Sequence, residues 1–386
     1  MTRTGDRRIR PPPTPNRGEI VWPEEIEMRT FVMIGVLAAA GSLCTAQPEY
    51  EYAAADAMRR FGVAQAPETS PDAIRVTTYN VENLFDDIDD PALSGDNEDI
   101  DDEKPEHELK SVARVIRRVD ADVLCLQEVE SEAALLAFRD AYLADMGYEH
   151  VISIDAGTAR GIEQSVLSRF PLSNPRNWPG KKLGGVHPEK YGNARNWHAG
   201  EPITYRRSPL LVDVTVPSDA AGNAEPYRFT LAVVHHKSGR HAGYWREKET
   251  AELAQTLESI ESADPTTNLV ILGDFNALAT DQSVKTYLDE GFTNVVEHRS
   301  KPAPAWVTHE SGRAIDLILV NPAMKPEIVP GSAFVLGSPA RPEGVNWRDV
   351  PTFEGYASDH YPVSVDVRPV EGAAAASAPA DEGAGS

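Results

Sequence analysis

Ile74-Arg75-Val76-Thr77-Thr78-Tyr79-Asn80-Val81-Glu82-Asn83-Leu84-Phe85 opens as an alternating strand over 74–79. It then runs into Asn80, Glu82 and Asn83, polar residues that carry chemistry more often than they fill a core. Downstream, residues 107–119 put Leu109, Val112, Ala113 and Ile116 on one helical face, and 122–127 read as a buried strand ending on Gln127-Glu128. Ser131 is placed to cap an alanine- and leucine-rich helix running to about Met146, with Gly147 as its stop, after which 148–154 become extended again. Strand and helix alternate through this half.

Residues 173–205 are rich in Asn, Gly, Pro, Lys and Trp with little periodicity, which predicts a long surface excursion of the kind that lines a binding cleft. Beyond it, 210–216 and 229–235 read as neighbouring strands joined across a polar turn at 218–226, followed by a charged amphipathic helix over 244–260. Further strands are predicted at 268–272, 315–320 and 363–367, and no internal repeat is visible. Strand–helix–strand units mixed with adjacent strand pairs predict an α/β (α+β) chain. The expected architecture is two packed mixed β-sheets flanked by helices, a four-layer α/β/β/α sandwich, rather than one doubly wound sheet.

A chain of 386 residues, 41% hydrophobic and 25% charged, is large enough for such a core. The net charge of −23 argues against passive capture of nucleic acid, which relies on Lys and Arg displacing counterions. Bound divalent cations would turn an acidic site into one that attracts phosphate, so a polyanionic substrate stays open; plain solubility is the simpler reading of the charge. The cysteines are Cys44 and Cys125, and the first falls in an expected leader, which leaves no internal disulfide and no multi-cysteine zinc site in the mature chain.

Residues 1–27, with Pro11, Pro12, Pro13 and Pro15 among scattered charges, read as disordered or as a mis-assigned start. From Met28, Arg29 precedes an apolar run over 31–43 and small residues end at Ala46. This is the layout of a signal peptide over 28–46, and it implies a secreted or periplasmic protein without a stable membrane anchor. A buried amino-terminal helix is the alternative. Losing 1–46 removes six basic and five acidic residues and leaves −24. A linker over 47–70, a catalytic domain over 71–369 and a disordered tail over 370–386 complete the expected organisation, with a monomer as the expected state.

Several apolar strands end alike: Asn80-Val81-Glu82-Asn83, Gln127-Glu128, His235-His236-Lys237-Ser238, Gly273-Asp274-Phe275-Asn276, Ile315-Asp316 and Ser358-Asp359-His360. One strand-end Asp or His is usually a turn residue or a satisfied polar group; six such ends are costly unless they converge on a shared site. Together they hold oxygen ligands for a hard cation, a base for water and an imidazole for phosphate oxygens, the kit for phosphodiester cleavage.

These segments resemble the endonuclease/exonuclease/phosphatase superfamily, which includes pancreatic-type deoxyribonucleases, abasic-site endonucleases, sphingomyelinases and inositol-polyphosphate phosphatases. Over about 74–368 the resemblance rests on 78–85, Leu126-Gln127-Glu128-Val129, Gly273-Asp274-Phe275-Asn276-Ala277 and Ser358-Asp359-His360. It implies a DNase I-like fold and a divalent cation, Mg²⁺ or Mn²⁺ with Ca²⁺ as a further option. By resemblance Glu128 is the principal metal ligand, with Asn80 and Asp359 on the metal side. His360 contacts the scissile phosphate and is oriented by Asp316; Asp274 positions or deprotonates water, and Asn276 donates to a phosphoryl oxygen. The family's mid-chain histidine falls on His235 of His-x-Lys-Ser, with His236 in the variable place; successive strand side chains face opposite ways, so one of the two enters the site.

Weaker substrate candidates are Arg207 and His236, with Arg206 as a further phosphate brace and Lys181, Lys182, Trp178 and Trp197 of the long excursion as candidate nucleotide contacts. The acidic run over 86–108 does not fit an EF-hand and reads as a solvated loop in preference to a Ca²⁺ site. Asn83-Leu84-Phe85-Asp86 and His-x-Lys-Ser resemble secreted bacterial nucleases most, so the expected function is a secreted nuclease with nucleic acid as substrate. A phosphatase or phospholipase C-like enzyme on inositol phosphates or sphingomyelin is the alternative. An inactive binding module of the same fold would lack site residues that are all present here, and a zinc hydrolase built on His235, His236 and His241 has no helical His-x-x-x-His to support it.

Overall fold

Residues 74–76 extend because Ile74 and Val76 face one core while Arg75 and Thr77 face another layer, and this alternation propagates through two six-stranded sheets. The computed structural model describes residues 59–88, 90, 92–95, 103–296, 301–342 and 352–371. The expected start at 1–27, the signal at 28–46, linker residues 47–58, the centre of the acidic run and tail residues 372–386 lie outside the described residues.

The first sheet holds β1 (Ile74–Leu84), β2 (Val123–Val129), β3 (His150–Ser153), β4 (Glu163–Ser168), β15 (Phe334–Val335) and β16 (Val363–Val367), in the order β15-β16-β1-β2-β4-β3. The second holds β5 (Leu172–Arg176), β10 (Leu210–Val216), β11 (Tyr227–His235), β12 (Leu269–Asp274), β13 (Thr293–Asn294) and β14 (Asp316–Val320), in the order β13-β14-β12-β11-β10-β5. Each sheet has one parallel pair, β1 with β2 and β11 with β12, and its other pairs are antiparallel.

Between the sheets lies a core of Val76, Val123, Cys125, Val212, Leu231, Val270, Ile318, Val365 and their neighbours. The outer face of the first sheet packs against α1 (Glu106–Val119) and α2 (Glu132–Tyr142), through Val112, Ile116, Leu135 and Phe138. The outer face of the second packs against α4 (Gly243–Ala263) and α5 (Gln282–Asp289), through Leu253, Leu257, Val284 and Tyr287; α3 (Ser218–Ala221) is a single turn between β10 and β11. The four-layer α/β/β/α order expected from the sequence is present. Register is firmly specified, because a one-residue slip would exchange inward and outward sets, and each buried Leu or Val contributes roughly 1.5–3 kcal/mol.

Ser131 caps α2 by accepting from the Ala134 N–H at 3.1 Å, but the helix ends at Tyr142, four residues short of Met146. The 173–205 stretch is more ordered than its sequence predicts: besides β5 it folds into two small hairpins, β6 (Lys182–Val186) with β9 (Pro202–Thr204) and β7 (Lys190–Tyr191) with β8 (Ala194–Arg195). Ile203, Tyr205 and Trp245 anchor it to α4, helped by the Trp245 indole N–H donating to the Thr204 carbonyl at 2.9 Å. No helix among the described residues is long and apolar enough to cross a membrane.

Candidate active site

Strand alternation carries polar side chains to one end of the sandwich. On β12, Val270 and Leu272 point between the sheets, so Asp274 does too; on β14 Ile318 and Val320 set the same direction for Asp316. On β11, Leu231 and Val233 bring His235 into the site. His236 therefore faces the opposite layer, with its Nδ1 3.3 Å from Glu249 Oε2 and its ring against Phe275 and Tyr287. It is 2% exposed, so the structure sets this substrate candidate behind the sheet and away from the His235 cluster.

Glu128 obeys a different rule. Leu124 and Leu126 pack against the helices, and strict alternation would send Glu128 the same way. A β-bulge between Gln127 and Val129, with Glu128 at φ +64°, turns the carboxylate toward the site instead. Glu82 and Asn83 at the end of β1 and Asn276 after β12 also have positive φ, so four non-glycine residues in left-handed conformation gather here. Such conformations cost on the order of 1–3 kcal/mol each and persist where the surroundings over-determine them. At Gly273 a Cβ would stand 1.9 Å from the Val234 carbonyl oxygen, so only glycine fits before Asp274.

The side chains form a continuous set. His235 Nε2 is 3.7 Å from Glu128 Oε1 and 3.5 Å from Asp274 Oδ2. Asn80 Nδ2 donates to Asp274 Oδ2 at 3.4 Å, and Asn276 donates to Asp274 through its backbone N–H and its amide, each at 2.8 Å. His360 Nε2 is 3.9 Å from Asp274 Oδ2 and 3.8 Å from Asp359 Oδ1, while its Nδ1 contacts Asp316 Oδ2 at 2.9 Å. Thr308 Oγ1 donates to Asp316 at 2.6 Å, fixing that carboxylate, and Ser358 Oγ accepts the His360 N–H at 3.0 Å. The structure thus brings together Asn80, Glu128, His235, Asp274, Asn276, Asp316, Asp359 and His360. Arg207 joins them, with one guanidinium nitrogen against His235 Nε2.

Their electrostatics diverge by environment. Burial drives the Asp274 pKa up to about 6, further raised by Asp316 and opposed by His360. Burial would lower His360, but Asp316, Asp274 and Asp359 outweigh it and hold the pKa well above the ordinary imidazole range. His235 goes the other way, lowered by burial and by Arg207 and Arg160, and is a neutral ring. For Asp359, burial is outweighed by its hydrogen bond with His309 and by His360 and Arg341, which keep the carboxyl below its usual range.

Arg160, His309, Arg341 and Tyr356 take part without a signal in the sequence motifs, and Glu82 takes part without an assigned role. Arg160, from the loop before β4, reaches both Glu128 oxygens at 3.3 and 3.1 Å and also bonds Asn83. Glu82, within the first motif, accepts from Arg341 at 2.6 Å, from the Tyr356 hydroxyl at 2.5 Å and from the Asp359 N–H at 3.0 Å. His309 sits edge-on to His360, with ring centroids 4.6 Å apart. Arg160, His309 and Arg341 come from loops, where no periodicity marks them; Tyr356 precedes the Ser358-Asp359-His360 motif by two residues.

The donors suit a hard divalent cation: carboxylates and an amide oxygen dominate, with imidazole nitrogens beside them. Two groups, His309/Asp359/His360 and Asp274/Asp316/His360, have ligand atoms all within 4.8 Å of one another. Neither includes Glu128, which here is engaged by Arg160. Of the excursion candidates, Lys181 pairs with Glu252 and lies over the Trp178 ring, while Lys182 is exposed and Trp197 is 89% exposed.

The chain is similar in fold to the human Nocturnin catalytic domain, solved with bound sulfate anion: 17% identity, 80% of this chain and 96% of that one, TM-score 0.49. Truncated Caenorhabditis elegans TDP2 gives 14% identity over 77% and 97%, also with TM-score 0.49. A mannosyl-6-phosphatase of Bacteroides thetaiotaomicron gives 16% over 76% and 98%, with TM-score 0.46. Comparison with curated proteins finds no match. The family model described as Endonuclease/Exonuclease/phosphatase matches residues 77–360, a span that holds every residue of the cluster above, and the chain belongs to that family.

Proposed function

We propose that this protein is a divalent-cation-dependent phosphodiester hydrolase acting on DNA or RNA, exported through the segment at 28–46. The observation that carries the reading is the single contact set linking Glu128, His235, Asp274, Asn80 and His360, each within 3.9 Å of another member of the set. Asn80, Glu128 and Asp359 would hold the cation, Mg²⁺ or Mn²⁺ with Ca²⁺ as a further option, which when bound supplies positive charge to the phosphate oxygens.

Asp274, with a pKa near 6, is tuned to accept a proton from an attacking water at neutral pH, while its two bonds from Asn276 fix the carboxylate. The Asn80 amide also reaches Asp274. His360, held by Asp316, presents Nε2–H to a phosphoryl or leaving oxygen, a contribution of about 10²–10⁴-fold for such proton transfer. Arg207 and the neutral His235 meet beside Asp274 and Glu128.

Nucleic acid is favoured over a lipid headgroup by Trp197, exposed on the excursion as a stacking face, and by Arg206, Arg207 and Lys237 grouped beside the site. The alternative is a phosphatase or phospholipase C-like enzyme using the same chemistry. The discriminating experiment challenges the purified 47–386 chain with plasmid DNA, RNA, sphingomyelin and inositol polyphosphates under Mg²⁺, Mn²⁺ or Ca²⁺. Nucleic-acid cleavage supports the reading; turnover of only a lipid or inositol ester transfers the site to the alternative. Export is tested by sequencing the amino terminus of the protein recovered outside the cytoplasm of a bacterial host, where cleavage after Ala46 is expected.

A further inference from the structure

His309 stands edge-on to His360, and its two ring nitrogens meet opposite partners, donors at Nδ1 and a carboxylate oxygen at Nε2. The loop that carries it is pinned. Thr308 and His309 donate backbone N–H groups to the Arg313 carbonyl at 3.0 and 3.2 Å, Gly312 donates to the His309 carbonyl at 2.9 Å, and the Tyr361 N–H bonds the Thr308 carbonyl at 2.8 Å. On one side of the ring, the Ser311 backbone N–H donates to His309 Nδ1 at 2.9 Å. The Ser311 hydroxyl lies 2.8 Å from the same nitrogen, and it accepts from Arg313 Nε at 2.8 Å, which leaves its own proton free to point at Nδ1.

A backbone N–H is an obligatory donor, so a proton on Nδ1 would set two donors against each other at hydrogen-bond distance. The geometry therefore selects the tautomer with its proton on Nε2. That Nε2 faces Asp359 Oδ2 at 3.4 Å, and the side chain keeps 18% of its surface exposed. A nitrogen that carries its proton has no lone pair for a cation, so the close approach of His309, Asp359 and His360 is not by itself a three-ligand metal site.

We propose that His309 is a positioning residue that donates from Nε2 to Asp359 and so fixes the carboxylate facing the cation, rather than binding the cation itself. The inference rests on the reading above in placing Asp359 on the cation side. The neutral ring suffices, so the role needs no change of protonation. Partners that orient a ligating carboxylate typically alter metal affinity by 10–100-fold when removed.

The test uses the full chain and two readouts that do not depend on turnover. Ring ¹⁵N–¹H correlation of ¹⁵N-histidine-labelled protein, with His309 assigned by its loss in His309→Gln, is expected to show the Nε2–H pattern with and without saturating Zn²⁺. A proton on Nδ1, or a metal-bound shift at Nε2, overturns the inference. Calorimetric titration with Mg²⁺ provides the second readout. Glutamine places an amide N–H where Nε2–H stood, so His309→Gln is expected to keep the wild-type affinity, while His309→Ala weakens it about 10-fold or more. Equal loss in both variants identifies His309 as a ligand and contradicts the proposal; equal retention in both shows that it orients nothing. A wild-type chain that binds no Mg²⁺ takes the inference down together with the metal-dependent reading, whereas a wrong tautomer removes the inference alone.

Discussion

Arg160 forks Glu128, with one guanidinium nitrogen 3.3 Å from Oε1 and the other 3.1 Å from Oε2. A cation bound at Glu128 has to share or displace that guanidinium. The Arg160 side chain is 41% exposed, so screening keeps the pair weak, within about 1 kcal/mol. Replacing Arg160 with Ala is expected to tighten Mg²⁺ binding by up to about fivefold, the equivalent of that energy, when titrated calorimetrically. Weaker Mg²⁺ binding in Arg160→Ala would mean that Arg160 supports the cation site instead of competing for it.

Asp316 holds His360 through Nδ1 and is itself fixed by Thr308. Asp316→Asn keeps the shape but offers an amide that can present a donor to the ring, so Nε2 loses its assured proton. The expected loss in kcat is about 10²–10⁴-fold, with KM changed little. Steady-state kinetics on a defined oligonucleotide checks this, and a kcat within threefold of wild type would remove His360 from proton transfer.

Lys237 is expected to add a pH dependence of substrate binding above neutral pH. Burial, with Arg207, Arg206 and Arg246 nearby, lowers its pKa to about 8 against an opposing effect of Glu249. A lysine with a depressed pKa is cationic below that value and neutral above it, so on the proposed function any attraction it exerts on a phosphate is present below about pH 8 and lost as pH rises through 8. KM for a nucleic-acid substrate is expected to climb above that pH in the wild type and to be flatter in Lys237→Met. Parallel KM profiles for the two proteins would show that Lys237 does not touch substrate.

Arg341 ties two carboxylates, Glu82 at 2.6 Å and Glu310 at 3.6 Å, and lies over the Tyr356 ring at 4.3 Å. With the Arg341 side chain only 9% exposed, Arg341→Met removes the guanidinium that the two acids share and is expected to cost about 3 kcal/mol. A chemical-denaturation midpoint unchanged from wild type would contradict that role. Because Glu82 accepts the Asp359 N–H, the same variant is also expected to loosen the Asp359-His360 segment.

The layers and most of the cluster were legible because alternation is a local signal. Leu231 and Val233 fix the direction of His235, and Val270 and Leu272 that of Asp274; alternation in the sequence says only that one of His235 and His236 enters the site, and the structure selects His235. Glu128 was legible from its motif but not from its strand, since a bulge with positive φ overrides the alternation. Arg160 and His309 were not legible: each reaches the site from a loop, by a long or aromatic side chain whose partner lies 32 or 50 positions away. The hairpins of 182–204 were missed for the converse reason, because strands of two to five mostly exposed residues bury too little to print a period.

The most direct test of the central claim follows nicking of supercoiled plasmid DNA by the purified chain with Mg²⁺, with chelator, and in the Glu128→Gln and His360→Ala variants. Mg²⁺-dependent nicking that is lost on chelation and in both folded variants is the predicted result. Nicking that persists in chelator or in either variant would contradict a cation-dependent phosphodiester hydrolase centred on this cluster.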